Sequence, residues 1–275
     1  MLHSSLFVAL AGLAVIAFPS CRDPRPAEFS PPIELPRSNW EGAARGFPEL
    51  RTLEGQTLAK GEFAQSVDGD RLHLQVRYDY GSGRFTEERS VIRQGPELVQ
   101  ESWSWSEVRD GEVQRRFEID FLAGNALAEK LEKGELRRWS KHLDIQAGRA
   151  FAGTGYSIAL RSLRDRLRGG ERIELQGIGF MPKPRTGVVE VSFAGVEQIS
   201  MSGRTLSSEH FVIHPKIPAL LRPFVHVPDS HIWLLTPAPR GFLRWEGPVV
   251  EPGDPLVRVD LLPGGESGSA KTMSK

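Results

Sequence analysis

The chain has 275 residues, of which 39% are hydrophobic and 25% charged, a composition typical of a globular protein rather than a disordered one. Lys and Arg together number 35, as do Asp and Glu, so no net charge directs the protein towards nucleic acid or an anionic membrane. The single cysteine excludes an intramolecular disulfide framework and a zinc site built from several thiolates.

The first 20 residues have the pattern of an export signal. They contain no Asp, Glu, Lys or Arg, and residues 6–18 form an unbroken apolar run. This run is shorter than the roughly 20 residues that span a bilayer, but it suits the hydrophobic region of a signal peptide. Residues 1–20 are therefore predicted to be a signal peptide.

Cys21 lies where this apolar run ends, directly after Pro19 and Ser20. The segment resembles a bacterial lipoprotein signal, although that pattern prefers a branched aliphatic residue at the position of Phe18 and a small residue at the position of Pro19. The resemblance implies that Cys21 is the lipid attachment site and carries acyl chains such as palmitate, which anchor the protein in the cell envelope. Arg22 is not the Asp that retains some lipoproteins in the inner membrane, so the outer membrane is slightly favoured. The alternative is a plain secretory signal with an incidental thiol.

Composition divides the remainder of the chain into three parts. Five prolines in residues 22–36 predict an extended tether over residues 21–39. Residues 263–275 are rich in Gly and Ser and are expected to be a disordered tail. Residues 40–262 are expected to form a single β-rich domain.

Alternation of apolar and polar residues dominates residues 60–122. Leu72, Leu74, Val76 and Tyr78 alternate with polar residues, as in a strand with one wet face. Asp110-Gly111 is a strong hairpin signal further along. These residues predict an antiparallel meander of four or five strands.

The second half contains short strand candidates separated by Gly and Pro clusters, and two helices are predicted before it. One covers residues 125–142. The other covers residues 156–168, where an apolar stripe follows Thr154, a candidate N-cap, and precedes Gly169-Gly170. The strand candidates are residues 173–175, 189–193, 211–213, 232–235, 242–245 and 257–262. The predicted fold is mainly β: an antiparallel curled sheet, barrel or half-barrel with one or two helices inserted near the middle.

Aromatic residues in the first meander are the candidate ligand-binding residues. Such rings most often fill a core, but a barrel of this size can also enclose a cavity for an apolar ligand. The candidates are Tyr78, Trp103, Trp105, Phe117 and Phe121.

Two patterns suggest chemistry, each with a simpler alternative. Residues 155–159 have the G-x-S-x-A form of a hydrolase nucleophile elbow around Ser157, and the alternative is a helix entry. His210 and His214 would lie about 13 Å apart along a strand, too far to bind one metal directly. We therefore expect no metal, no cofactor and no catalytic residue.

Three C-terminal segments carry a resemblance: FVIHPKIP (211–218), VPDSHIWLL (227–235) and RGFLRWEGPVVEPGDPLVRVDLL (240–262). They resemble uncharacterised bacterial proteins of the domain-of-unknown-function type, many with lipoprotein signals. The strand-rich pattern is loosely similar to the half-barrels of periplasmic lipid and lipoprotein carriers.

The expected function is that of an exported, lipid-anchored envelope protein, not an enzyme. It would contact the membrane through its anchor and bind an apolar or amphipathic ligand or handle lipid, with no nucleic acid partner. A structural or assembly module acting through protein contacts is the alternative, and a serine hydrolase using Ser157 is a remote one.

Overall fold

The computed structural model describes residues 29–201, 203–218, 226–236 and 241–261. The predicted signal peptide, Cys21 and the predicted tail lie outside the described residues. Strands dominate the described part, with one α-helix, α1 (Gly155–Arg168), and a short 3-10 turn (Arg37–Asn39). The strands are β1 (Ala44–Gly46), β2 (Pro48–Thr52), β3 (Thr57–Asp68), β4 (Arg71–Gly81), β5 (Arg84–Gln94), β6 (Leu98–Arg109), β7 (Glu112–Asp120), β8 (Asn125–Glu132), β9 (Glu135–His142), β10 (Ala150–Phe151), β11 (Ile173–Met181), β12 (Lys183–Met201), β13 (Arg204–Lys216), β14 (Ser230–Leu235), β15 (Phe242–Pro248) and β16 (Leu256–Leu261).

All sixteen strands belong to one sheet, in the order β10-β11-β12-β13-β14-β15-β16-β2-β3-β4-β5-β6-β7-β8-β9, with β1 paired to β3. Every neighbouring pair is antiparallel except β10 and β11, which are parallel. Pairing of β16 with β2 joins the last described strand to one of the first. The predicted mainly β fold, a curled antiparallel sheet with a helix inserted near the middle, is confirmed.

Tight turns set the register of the first meander. Asp110 and Gly111 have φ values of 52° and 82°, so both central residues of this hairpin adopt the left-handed conformation. Such a turn matches the right-handed twist of the flanking strands. The predicted meander over residues 60–122 is the run from β3 to β7.

The helix predicted over residues 125–142 is wrong, because β8 and β9 form a hairpin there. Lys133 and Gly134 are its turn, with φ values of 54° and 81°. Ala126 and Ala128 are buried and pack in the cluster that contains Phe117. Pairing with β7 and burial of these alanines outweigh the helix propensity of an Ala-, Leu-, Glu- and Lys-rich segment.

The predicted second helix is confirmed, and it lies inside the curl of the sheet. Its apolar residues, among them Leu160, Leu163 and Leu167, are almost completely buried. They share one core with Leu72 of β4 and Phe211 of β13, strands from the two halves of the chain. The helix therefore fills one part of the interior and packs against strands from both halves of the chain.

Arg164 of α1 is buried with this helix instead of lying on a solvated face. Its guanidinium forms two hydrogen bonds with the carboxylate of Glu209 in β13, which is inaccessible to solvent. Arg168 lies 3.5 Å from the same carboxylate, and Asp165 lies 2.8 Å from Arg164. A charged pair thus ties the helix to the sheet at a buried position.

Strand β11 is covered on both faces because the sheet overlaps itself. Ile173 and Leu175 pack in the helix core, whereas Phe180 and the partly buried Ile178 pack with the aromatic residues of β6 and β7. The end of the curled sheet at β11 therefore packs against the inner face of the sheet at β6 and β7.

Packing begins within the predicted tether. Ile33 and Leu35 are 1% and 4% exposed and belong to the helix core. The Leu35 amide donates to the carbonyl of Pro96 at 3.0 Å, and the Ile33 amide donates to that of Gly148 at 3.2 Å. Residues 33–35 are thus part of the packed domain, ahead of the predicted boundary at residue 40. The described residues hold no helix that is long and apolar enough to span a membrane.

Candidate functional site

The curled sheet partly surrounds a cavity of about 1310 Å³ beside helix α1. Strands from both halves and the first turn of the helix line it. Glycines help to leave this space open: Gly179 in β11 and Gly187 in β12 line the cavity, and a Cβ added at either would meet nothing within 4 Å. The site is a hollow in the part of the interior that the helix does not fill.

Apolar side chains form most of the cavity wall. They come from well-separated strands, so no short segment of sequence defines the site. Examples are Leu50, Leu74, Val76, Val189, Ile213 and Val259. Such a wall suits an apolar ligand, and the volume exceeds the range of about 300–1,000 Å³ typical of pockets for drug-sized molecules.

The predicted ligand-binding residues fall into two groups. Tyr78, Trp103 and Trp105 line the cavity. Phe117 and Phe121 are buried in the adjoining core and are not among the lining residues. Phe117 stacks against Trp105, with ring centroids 5.8 Å apart, and so supports the wall from behind.

Sequence reasoning missed the aromatic lining residues of the second half. Phe180 of β11 and Trp245 of β15 line the cavity, and so does Tyr156 in the first turn of α1. Tyr156 belongs to the apolar stripe of the helix, which indicates an interior position. The sequence pattern does not distinguish a stripe that fills a core from one that faces a hollow.

Glu88 of β5 is an acidic residue of the cavity wall, which Glu41 and Asp144 also line. Its Oε1 accepts hydrogen bonds from Trp103 Nε1 at 2.9 Å and from the Thr154 amide at 2.6 Å. Burial raises the pKa of the Glu88 carboxyl, and the hydrogen bonds from Thr154 and Trp103 oppose this shift. The carboxylate is thereby fixed in position at the start of α1, where the helix dipole favours negative charge.

The glycines of the G-T-G sequence are explained by this contact. Gly153 has a φ of 51°, and a Cβ there would collide with the Glu88 carboxylate and the Trp103 indole. A Cβ at Gly155 would collide with the side-chain amide of Gln100. Gly153 and Gly155, the first residue of the G-x-S-x-A pattern, are thus small because the chain passes close to neighbouring polar side chains.

The helix begins differently from the prediction. Thr154 is the N-cap residue, but its side chain forms no capping hydrogen bond, and its amide donates to Glu88 instead. The Ser157 hydroxyl donates to the Thr154 carbonyl at 2.7 Å, and within the described residues no hydrogen bond connects it to a histidine. This arrangement accounts for Ser157 as part of a helix entry.

Tyr78 of β4 and Tyr156 in the first turn of α1 also line the cavity. Burial raises the pKa of Tyr78, and the charge of Glu88 raises it further; burial also raises the pKa of Tyr156. Both phenols therefore stay protonated and can donate or accept a hydrogen bond.

Charged residues at the mouth of the cavity are mostly basic. Arg45, Lys141 and Arg185 line the cavity and are exposed, which places them where it opens to solvent. Two further lining cations are ion-paired: Arg161 with Glu41, and Lys216 with Glu174 and Glu190.

The histidines of the second half form a hydrogen-bonded cluster separate from the cavity lining. Nε2 of His210 lies 2.9 Å from Nδ1 of His231, and Nδ1 of His210 lies 2.7 Å from Glu197. The His210 ring stacks on Trp233, whose indole donates to the same glutamate. Burial lowers the pKa of His210, whereas the hydrogen bond and charge of Glu197 act to raise it. Across the described ranges, no group of three or more His, Cys, Asp or Glu side chains is arranged to hold a metal.

The fold and this site define a mainly β, barrel-like protein with a hollow, largely apolar interior. No protein-family model matches the sequence, and comparison with curated proteins found no match. Among solved structures, the chain is similar to a β-barrel-like protein of the domain of unknown function DUF1849 from Brucella abortus. That similarity covers 80% of this chain and 96% of that chain, with 11% sequence identity and a TM-score of 0.45.

Proposed function

We propose that the protein is an exported, lipid-anchored envelope protein that holds an apolar or amphipathic molecule, such as a lipid, in its interior cavity. The carrying observation is the cavity of about 1310 Å³ with a largely apolar wall. An apolar wall of this size gains free energy when a hydrocarbon displaces water from it, by about 25 cal/mol for each Å² removed from water. This favours ligand binding over the alternative of a structural module with a solid core.

The shape of the sheet supports a ligand that is held rather than merely adsorbed. The overlap of β11 with β6 and β7 and the position of α1 surround the cavity with packed elements. The exposed cations Arg45, Lys141 and Arg185 line the opening of the cavity, so this opening is hydrated. An apolar molecule would therefore be sequestered from water inside the protein and exchanged through this mouth.

The anchor is a separate part of the proposal and rests on the sequence. Cys21 follows the apolar run of residues 6–18, and prolines follow it. We expect Cys21→Ala to release the full chain into the soluble fraction and to abolish labelling by an acyl precursor. Unchanged fractionation and unchanged labelling would overturn lipid attachment and leave the cavity proposal standing.

Lipid extraction from the purified full chain tests the cavity proposal. Mass spectrometry of the extract is expected to show a lipid or other apolar molecule in near-stoichiometric amount. Gly179→Trp should remove it, because the indole would occupy the open space beside this residue.

Gly253→Trp is the matched control. Gly253 lies in the exposed β15–β16 loop, is not a lining residue, and also has open space around it. It should retain the ligand in the wild-type amount. A wild-type protein free of any apolar molecule, or one whose content Gly179→Trp leaves unchanged, would overturn the proposal.

A further inference from the structure

Glu88 is a half-buried carboxylate of the cavity wall without a counter-charge among the described residues. Its hydrogen bonds come from an indole and a backbone amide, both neutral donors, and no Lys, Arg or His of the described chain forms an ion pair with it. Buried charges in proteins are normally paired, because an isolated ion loses its hydration without compensation. The acidic residues that are fully buried in this fold follow that rule, as Glu209 does with Arg164 and Asp260 with Arg244.

Tyr78 lies on the same inner face as Glu88. Its cross-strand partner is Thr86, two residues before Glu88, so the two side chains are diagonal neighbours, about 7–8 Å apart between their backbones. The charge of Glu88 adds to the effect of burial in raising the pKa of the Tyr78 phenol. Both line the cavity.

Neither the Tyr78 nor the Tyr156 hydroxyl has a hydrogen-bond partner within the described part of the chain. Both tyrosines are half-buried and line the cavity, so their hydroxyls can form hydrogen bonds with a molecule inside it. Both hydrogen bonds to Glu88 end on Oε1, and the neighbouring Thr154 hydroxyl forms none, which leaves Oε2 as an acceptor. An acceptor and a hydroxyl without hydrogen-bond partners among the described residues thus lie in a largely apolar wall.

We infer that Glu88 and Tyr78 form a polar subsite in the cavity that binds the hydrogen-bond-donating head of an amphiphile, a long-chain amine by preference and an alcohol next. This inference rests on the proposed function and names its ligand class. An ammonium supplies the counter-charge that Glu88 lacks and donates to Oε2, and Tyr78 accepts a second hydrogen bond from it. A carboxylate head is rejected because it would meet Glu88 as a like charge.

Three probes with the same twelve-carbon chain test the head-group preference. Dodecylamine, dodecanol and dodecanoate are titrated against the full chain at pH 7 in competition with the neutral fluorophore N-phenyl-1-naphthylamine. The amine is expected to bind at least tenfold more tightly than dodecanoate, with the alcohol between them. Equal binding of the three, or preference for dodecanoate, would overturn the subsite and leave the cavity proposal intact.

Two variants assign the preference to these residues. Glu88→Gln keeps an oxygen for Trp103 and Thr154 but removes the charge, so the amine-to-dodecanoate ratio should fall to less than threefold. Tyr78→Phe removes only a hydroxyl and should weaken amine and alcohol binding several-fold without affecting dodecanoate. Glu87→Gln is the control, because Glu87 is hydrogen-bonded to the exposed Gln75 and is not a lining residue.

The outcomes separate the two proposals. A preference for the amine that survives Glu88→Gln unchanged would refute the role of this carboxylate. Failure of all three probes to displace the fluorophore, together with an empty lipid extract, would refute the proposed function itself.

Discussion

Phe180 of β11 stacks on Trp103 of β6, with ring centroids 6.0 Å apart, although the two strands lie near opposite ends of the hydrogen-bonded strand order. Phe180 also lies 4.6 Å from Phe117 of β7, measured between ring centroids. Backbone pairing does not connect β11 to these strands. Side-chain packing of Phe180 is therefore one of the contacts that join the two ends of the sheet beside the cavity.

Removing this side chain should open the overlap. Phe180→Ala is expected to lower the free energy of unfolding by about 3–5 kcal/mol, the usual cost of deleting a buried phenylalanine ring. Denaturant unfolding of the full chain measures the change. Phe47→Ala is the matched control, because Phe47 is 70% exposed and should change stability by less than about 0.5 kcal/mol. Equal effects of the two substitutions would show that the overlap does not depend on Phe180.

The buried pair of Arg164 and Glu209 should respond differently to single and double substitution. Glu209→Leu alone leaves a buried guanidinium without its partner and should cost about 3–5 kcal/mol of stability. The double variant Arg164→Met with Glu209→Leu should recover most of this loss, because both charges are gone. The exposed pair Arg116 and Glu118 is the control, and Glu118→Gln should cost about 0–1 kcal/mol. Equal destabilisation by the single and double variants would contradict the buried pairing.

Gly153 should tolerate no side chain, for reasons of conformation and space. Gly153→Ala is expected to destabilise the protein by more than about 1 kcal/mol and to change the emission of Trp103, since the added methyl displaces its hydrogen bond to Glu88. Gly187→Ala is the comparison, because a Cβ there meets open space. Wild-type stability and fluorescence in Gly153→Ala would show that the contact with Glu88 is not tight.

The carboxyl of Glu88 gives a definite pH dependence of stability. Because its pKa is raised above 4.5 in the folded protein, the native state binds more protons than the unfolded state just above pH 4.5. Stability of the wild type should therefore fall relative to Glu88→Gln as the pH rises from 4.5 to the raised pKa, by at most about 1.4 kcal/mol per pH unit. Above that pKa the difference should be constant. Unfolding curves recorded from pH 4 to 8 measure it, and a gap between the two proteins that stays constant over this range would argue against a buried carboxylate.

The mainly β fold could be predicted because its signals are local. The alternation from Leu72 to Tyr78 depends only on neighbouring residues, and it is present in β4. The Asp110-Gly111 turn is equally local, and it joins β6 to β7. The segment over residues 125–142 was wrongly predicted as a helix, because its residues favour a helix in isolation. Its strand conformation depends on pairing with β7, which is set by tertiary contacts.

The site was accessible to sequence reasoning only in part. Tyr78, Trp103 and Trp105 face inward because of strand alternation, which the sequence displays. Whether an inward ring meets another side chain or empty space depends on strands that are distant in sequence, so Phe117 could not be separated from Trp105. Glu88 gave no signal, because its hydrogen-bond donors Trp103 and Thr154 come from a neighbouring strand and from the start of α1.

Photolabelling of the full chain with a diazirine-bearing long-chain amine, followed by peptide mapping, tests the central claim most directly. If the cavity is the ligand-binding site, cross-links will concentrate on lining residues such as Tyr78, Trp103 and Tyr156 and will be lost in Gly179→Trp. Labelling confined to exposed apolar side chains such as Phe47 and Leu122, and unaffected by Gly179→Trp, would contradict it.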